Sequence, residues 1–344
     1  MATTGLAAIP SVDLVPADAE TTPVQHAGDA ADDPALWVHP DDPALSLLIG
    51  NDKKGALEVY DLEGAVRQRI TSSKPFWGNV DVRQAVVIGG RTLDLVAATN
   101  GGVRLFKVDP VSRTLTQISG GASGALQAGG QGLCLYESHA DRRVYAFTLN
   151  KKGVLVQWLL HDSDGDGLLL MRKVRTVSVV VGVPPREATE ACVADDDTGA
   201  LYVSEEDVAL WRYGAEPSTG AARTMVDSVQ PGGNLAADVE GVAIVRVGAK
   251  AGYLIVSAQN VASPQSSYFA VFDRQTNAYL RSFRIVGSPT ADGCERTDGI
   301  AAYAGNLGAS YPFGVFVCQD NGNTAPAPGN QNFKLTRLER VVPL

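Results

Sequence analysis

Six times along the chain an apolar strand pattern restarts behind a polar residue, and this recurrence constrains the fold more than any single motif. The restarts fall at Asp33 (DPALWV), Asp81 (DVRQAVV), Gln131 (QGLCLY), Glu190 (EACVAD), Glu240 (EGVAIV) and Asp298 (DGIAAY), spaced 48 to 59 residues apart. Each interval holds short period-two segments such as ALEVYDLEG, GVRLFKVDP and YFAVFDRQTN, punctuated by turns, while amphipathic helical patterns are scarce. The chain therefore reads as all-β. Units of about four strands at this period are propeller blades. The expected architecture is a six-bladed β-propeller forming a single domain over residues 21–344, preceded by a flexible segment at 1–20. The last unit shows only three strands, GIAAYAG, FGVFVCQD and NFKLTRLERV. A strand from the N-terminal segment, TPVQHAG, is expected to supply the fourth and close the ring.

Equivalent positions in the blades of a ring face one axis, and five of the six restarts are acidic. Asp32, Asp33, Asp81, Glu190, Glu240 and Asp298 should then line one mouth of the channel. Carboxylates that close together do not all stay ionised without cations. Oxygen ligands drawn from scattered loops suit several Ca²⁺ ions, which accept six to eight oxygens in irregular geometry, better than Mg²⁺. Further candidate oxygen donors sit around this ring: Glu205 and Glu206 in SEEDVALW, Asp238 in ADVEG, Gln259 and Asn260 in SAQN, and Gln319 and Asp320 in CQDNGN. Asp238 and Glu240 alternate as i and i+2, so they share one face of an extended segment. Facing this acid are Lys53 and Lys54 in the turn NDKKG, with Lys151 and Lys152 at the matching turn of the third unit, NKKG. Lysines beside a metal-loaded acidic mouth suit phosphate oxygens, and the chemistry suggested is metal-assisted hydrolysis of a phosphate ester.

Composition narrows the alternatives. A formal charge of -9 and a pI near 5.0 argue against a nucleic-acid or anionic-membrane surface. No run of 18 apolar residues spans a membrane. The four histidines form no metal pair, and neither a GxSxG elbow nor a P-loop is present. HDSDGDG starts like a calcium-binding hand, but its twelfth position is Lys173, so a hairpin turn is expected there. Cys134, Cys192, Cys294 and Cys318 lie far apart among apolar neighbours and read as buried thiols. The first twenty residues lack the basic start and apolar core of a signal peptide. The chain is read as cytoplasmic or as a mature form carrying a replacement Met.

With these residues in view, the sequence resembles the β-propeller phytases, calcium-dependent enzymes that hydrolyse myo-inositol hexakisphosphate. DAADDPALWVHP, IGNDKKGALEVYDLEG, NVDVR, GLCLYESHADRRVYAF, TEACVADDDTGALYVSEEDVALWRYGAEP, ADVEGVAI, GYLIVSAQ, RTDGIAAY and FVCQDNGN look like the family's segments, in order, from about Thr22 to Val342. The resemblance implies calcium ligands at Asp32, Asp33, Glu190, Glu206, Asp238, Glu240, Gln259 and Asp298. It implies catalytic or phosphate-binding roles for Lys53, Lys54 and Lys151, a catalytic role for Glu190, and a substrate contact for Asn100. It also implies a secreted or periplasmic protein, here expected to be a monomer. The sequence departs from the family where an Asn-Arg pair reads Asn100-Gly101, a Tyr reads Gln131, and a Glu-Gly pair reads Glu190-Ala191. Calcium binding is thus mostly preserved and phosphate recognition thinned. The competing reading is a propeller that binds calcium and a ligand or protein partner without turnover.

Overall fold

The structure, a computed structural model, describes residues 11–72, 76–120, 126, 130, 132–179, 189, 191–259, 267–326 and 328–344. Glu190, Gln131 and Asn260 lie outside the described residues. The N-terminal stretch supplies two strands, β1 (Val12–Pro16) and β2 (Ala19–Glu20), to sheets completed much later in the chain. Blade 1 runs from the axis outwards as β3 (Ala31–Trp37), β4 (Leu47–Asp52), β5 (Ala56–Asp61) and β6 (Val66–Thr71). Blade 2 is β7 (Val80–Ile88), β8 (Arg91–Thr99), β9 (Val103–Asp109) and β10 (Thr114–Gln117). Blade 3 is β11 (Gly132–Glu137), β12 (Val144–Leu149), β13 (Val154–His161) and β14 (Leu170–Ser178). Blade 4 is β15 (Cys192–Asp195), β16 (Ala200–Glu205), β17 (Ala209–Gly214) and β18 (Arg223–Ser228). Blade 5 is β19 (Val239–Arg246), β20 (Gly252–Ala258), β21 (Tyr268–Asp273) and β22 (Tyr279–Val286). Blade 6 is β23 (Ile300–Ala304), β24 (Gly314–Asp320) and β25 (Asn332–Arg337). Of the restarts read from the sequence, Asp33, Asp81 and Glu240 fall on innermost strands and Asp298 two residues ahead of one. The innermost strands touch in a cycle, β3 with β7 through to β23 with β3, so the ring is closed.

Burial explains why each strand looks as it does in sequence. The second strands, LLIGND in blade 1 and ALYVSE in blade 4, are buried at every position because neighbouring blades cover both faces. The outermost strand VRQRIT has no buried position and is polar. Aromatic wedges fill the gaps between blades: Trp37, Trp77 and Phe106 between the first two, and Phe269, Phe283 and Phe316 between the last two. The Phe269–Phe316 and Phe283–Phe316 pairs are edge-on, with centroids 5.0 and 5.3 Å apart.

Three expectations are corrected. The fourth strand of blade 6 is β2, antiparallel to β25 through Ala19↔Leu335 and Glu20↔Lys334, and not Thr22–Gly28. Pro23 has no amide hydrogen to give a ladder, so that stretch crosses from blade 6 to blade 1 on isolated bonds such as Val24 N to Gln331 O, 2.9 Å. The segment ahead of residue 21, expected to be flexible, is ordered from Val12 onwards: β1 adds to β22 as a fifth, parallel strand of blade 5, with Val15 buried. The cysteines are not free thiols either. Cys134–Cys192 and Cys294–Cys318 are disulfides with Cα atoms 5.7 and 6.4 Å apart. Spacing along the chain hid this, because Cys134 and Cys192 become neighbours only when β11 and β15 pack side by side around the axis.

Candidate active site at one mouth of the channel

In every blade the start of the innermost strand and the turn between the second and third strands lie at the same end. That end carries Asp32, Asp33, Asp238, Glu240 and Asp298 near strand starts. It also carries Lys53, Lys54, Asn100, Lys151, Glu206 and Gln259 in or beside the turns, so one mouth collects these eleven residues. Small residues let the strands close in. A Cβ on Gly299 would sit 2.4 Å from Asp33 Cα, and one on Gly241 would sit 2.6 Å from Asp298 O. The glycines after Glu240 and Asp298 are therefore needed for close approach of the inner strands.

The centre of this mouth is Lys53. Its Nζ lies 2.8 Å from Asp298 Oδ2, 3.0 Å from Asp29 Oδ1 and 3.2 Å from Asp32 Oδ1. Gln259 Nε2 donates to Asp298 Oδ1 at 2.7 Å, and Gln319 Oε1 accepts from Asp298 N at 2.9 Å. Burial holds the Asp298 carboxyl above the usual carboxylate range, against the pull of Lys53. Burial works against the charge on Lys53, but Asp32 and Asp298 outweigh it and raise the ammonium above its ordinary pKa. An ammonium thus stands where three carboxylates converge.

Blades 4 and 5 extend the acidic arc. Val239 N donates to Glu206 O at 2.8 Å and Gln259 N to Asp238 O at 2.9 Å, which ties the three segments carrying Glu206, Asp238 and Gln259 together. Ser204 Oγ donates to Glu240 O at 2.7 Å. Glu206 and Glu240 are both buried. Among the described residues, no group of three acids, histidines or cysteines is gathered at metal-ligand distances. Of the ligands read from the sequence, Asp32, Asp33, Glu206, Asp238, Glu240, Gln259 and Asp298 lie at this mouth, Glu190 lies outside the described residues, and Asp32 and Asp298 share Lys53.

The opposite arc is cationic. Lys54 Nζ donates to Ala27 O at 2.6 Å from an exposed position. Lys151 is half-buried in the turn after β12, where Thr189 Oγ1 donates to Asn150 O at 3.0 Å. Asn100 is fully buried, accepting at Oδ1 from Ser72 Oγ (2.6 Å) and Arg104 Nε (3.0 Å) and donating to Phe76 O (3.1 Å). Its amide positions rather than reaches outwards. Arg104 is a functional candidate the sequence reading missed. Half-buried, with its Nη1 donating to Gln117 Oε1 at 3.2 Å, it has no carboxylate within ion-pair distance among the described residues. Burial alone pulls its pKa down. It restores to blade 2 a guanidinium that the Asn100-Gly101 turn lacks.

Other candidates are placed elsewhere. Asp81 points into the channel and binds Arg83 Nη1 at 3.0 Å and Leu135 N at 2.8 Å. Arg83 in turn reaches Ala194 O and Asp196, bridging blades 2, 3 and 4 across a cavity of about 370 Å³. Glu205 accepts from Trp211 Nε1 at 2.6 Å. Asp320 joins Glu20 and Asp292 around the buried Lys334, and burial pushes it up to about 6. HDSDGDG is a turn between β13 and β14, with Asp162 taken by Arg91 at 2.6 Å.

A closed six-bladed ring with an acidic arc facing lysines at one mouth defines a class of propeller built to receive an anion beside cations. A family model described as Phytase matches residues 6–343, and the chain belongs to the phytase family. It is 34% identical over 348 residues to the 3-phytase of Bacillus subtilis (strain 168), covering 95% of this chain and 84% of that protein. Among solved structures it is similar to the SapL1 lectin in complex with alpha methyl fucoside, at 11% identity and a TM-score of 0.49, covering 86% of this chain and 90% of the lectin.

Proposed function

We propose that this chain releases phosphate from myo-inositol hexakisphosphate by calcium-dependent hydrolysis at the acidic mouth. The observation that carries the reading is the convergence of Asp29, Asp32 and Asp298 on one cation, the Lys53 ammonium. A point already built for positive charge, ringed by carboxylate and amide oxygens, fits the hard-oxygen preference of calcium. Asp32, Asp33, Glu190, Glu206, Asp238, Glu240, Gln259 and Asp298 would hold the ions. When bound, calcium neutralises phosphoryl charge and makes a coordinated water more acidic.

The protein's own part is positioning. Lys53, Lys54 and Lys151 donate charge-assisted hydrogen bonds to phosphoryl oxygens, Arg104 offers a planar pair of donors, and Asn100 holds that guanidinium in place. The two disulfides suit a protein exported to an oxidising compartment, and it acts there as a monomer. The deciding experiment measures inorganic phosphate released from phytate in calcium and in excess chelator. Calcium-dependent release is expected. Calcium binding without release from any phosphomonoester would leave a non-catalytic binding propeller.

A further inference from the structure

The hydrolase reading assigns a receptor for phosphate but no group to protonate the departing sugar oxygen. An inositol alkoxide is a poor leaving group, and proton transfer to it accelerates such reactions by about 10²- to 10⁴-fold. One side chain beside the lysine turn has the required setting. His26 Nδ1 lies 2.7 Å from Asp52 Oδ2. An ionised carboxylate only accepts, so Nδ1 carries the hydrogen and Nε2 is left on the far edge of the ring. The His26 side chain is 44% exposed, whereas that of Asp52 is fully buried.

The pairing is built rather than incidental. Asp52 already accepts from Arg69 Nη2 at 3.0 Å and from Lys54 N at 3.2 Å, so the imidazole is not needed to satisfy it. Arg69 also binds Glu58, which accepts from Tyr60 OH at 2.7 Å. Arg69 and Lys54 thus set two cations around the His26–Asp52 pair. The seat itself is shaped for imidazole: a Cβ on Gly55 would lie 2.3 Å from His26 Cε1, so only glycine at that turn admits it. Gly55 follows Lys53 and Lys54 directly, and Lys54 Nζ bonds the carbonyl of Ala27, next to His26.

We propose that His26, oriented by Asp52, is the proton donor to the leaving alkoxide of a phosphate ester held by Lys53 and Lys54. The proposal rests on the hydrolase reading. In the step, the water oxygen bonds to phosphorus and the phosphorus–alkoxide bond breaks. In the imidazolium form both ring nitrogens carry hydrogen: the Nε2 proton passes to the alkoxide, the neutral ring keeps Nδ1–H on Asp52, and the proton lost by the water returns to Nε2 through solvent. No other reactant is consumed. Asp52 is a positioning residue.

The test compares phytate with p-nitrophenyl phosphate, whose phenolate leaves without protonation. His26→Gln, which keeps a hydrogen bond to Asp52 but carries no transferable proton, should lose about 10²-fold or more in kcat on phytate. It should lose little on the aryl ester, with KM and Tm near wild type. Added imidazole should restore part of the phytate activity of His26→Ala. Equal losses on both esters, no loss on phytate, or no rescue by imidazole would overturn the assignment. If the aryl ester is not a substrate of the wild type, the rescue alone decides. A wild type that hydrolyses neither ester would instead refute the hydrolase reading, and the proton donor with it.

Discussion

Without metal, the mouth is predicted to depend on Lys53 as its counter-ion, and Lys53→Met tests this directly. The substitution keeps the aliphatic stem and removes the charge. Asp29 is 73% exposed, so its pair with Lys53 contributes little. Asp32 and Asp298 are only 15% and 20% exposed and would be left facing each other with no cation between them. Breaking a buried pair by deleting one partner costs about 3 to 5 kcal/mol. With unfolding entropy of about 2.1 cal/mol/K per residue over 344 residues, Tm should fall by ~4 to 7 °C in chelator. Calcium should return most of that loss, because a ligand at about 100 times its Kd contributes ~2.7 kcal/mol to the native state. The Tm gain on adding calcium should therefore be larger in Lys53→Met than in the wild type, while phytate turnover falls about tenfold or more. Differential scanning calorimetry of both proteins in chelator and in calcium provides the measurement. Equal melting temperatures in chelator would refute the counter-ion argument, and an unchanged calcium increment would refute the link between Lys53 and the metal.

Other expectations follow from the same geometry. Arg274, fully buried, binds Asp195 through Nε and Nη2 at 2.8 and 2.6 Å and carries blade 5 onto blade 4. Arg274→Met should cost about 3 to 5 kcal/mol, and Asp195→Asn added to it should recover much of the loss in urea melts. Burial opposes ionisation of Asp195, but Arg274 holds it below the usual carboxylate range. Its wild-type contribution is thus complete above the unfolded pKa of about 3.9 and lost as pH falls through the lower folded value; the acid limb of a Tm-against-pH curve should shrink in Arg274→Met. Gly101→Arg, which copies the family's Asn-Arg pair, should lower Tm without raising turnover, since Gly101 has φ +63° and an L side chain there costs roughly 1 kcal/mol. Arg104→Ala, by contrast, should raise KM for phytate about tenfold with calcium binding unchanged, measured by steady-state kinetics and calorimetric titration.

Legibility differed by physical cause. The ring was readable because each inner strand begins with the same polar-then-apolar phrase, and burial on both faces of strands such as LLIGND leaves an unmistakable apolar run. Asp32 and Asp298 were readable for the same reason, since they sit at the start of that phrase; Lys53 stood out as a turn lysine and Gln259 through the family resemblance, and the structure joins all four by contacts of 3.2 Å or less. Residues off the phase were not readable. His26 lies in an irregular crossing segment, and only the fold brings Asp52 and Gly55 beneath it. Arg104 is one residue into β9, so its side chain looks like an ordinary strand position until Asn100 and Gln117 are seen holding it. Asp81 obeyed the phase yet turned inwards, because Arg83 two residues later shares its face and claims it.

The pairing of β2 with β25 has a consequence for biosynthesis. Ala19 meets Leu335 and Glu20 meets Lys334, so the outermost strand of the last blade is made first and its partner almost last. Blades 1 to 4 can assemble as they leave the ribosome, one after another, from contiguous sequence. Blade 5 lacks nothing but its parallel edge β1, while blade 6 cannot gain its fourth strand until residue 337 is free of the exit tunnel. Until then the nascent chain is an open arc with two unsealed faces, that of blade 1 and that of the most recent blade. A chaperone or an export channel that engages the chain before its C-terminal strand emerges would therefore meet an arc that has not yet closed.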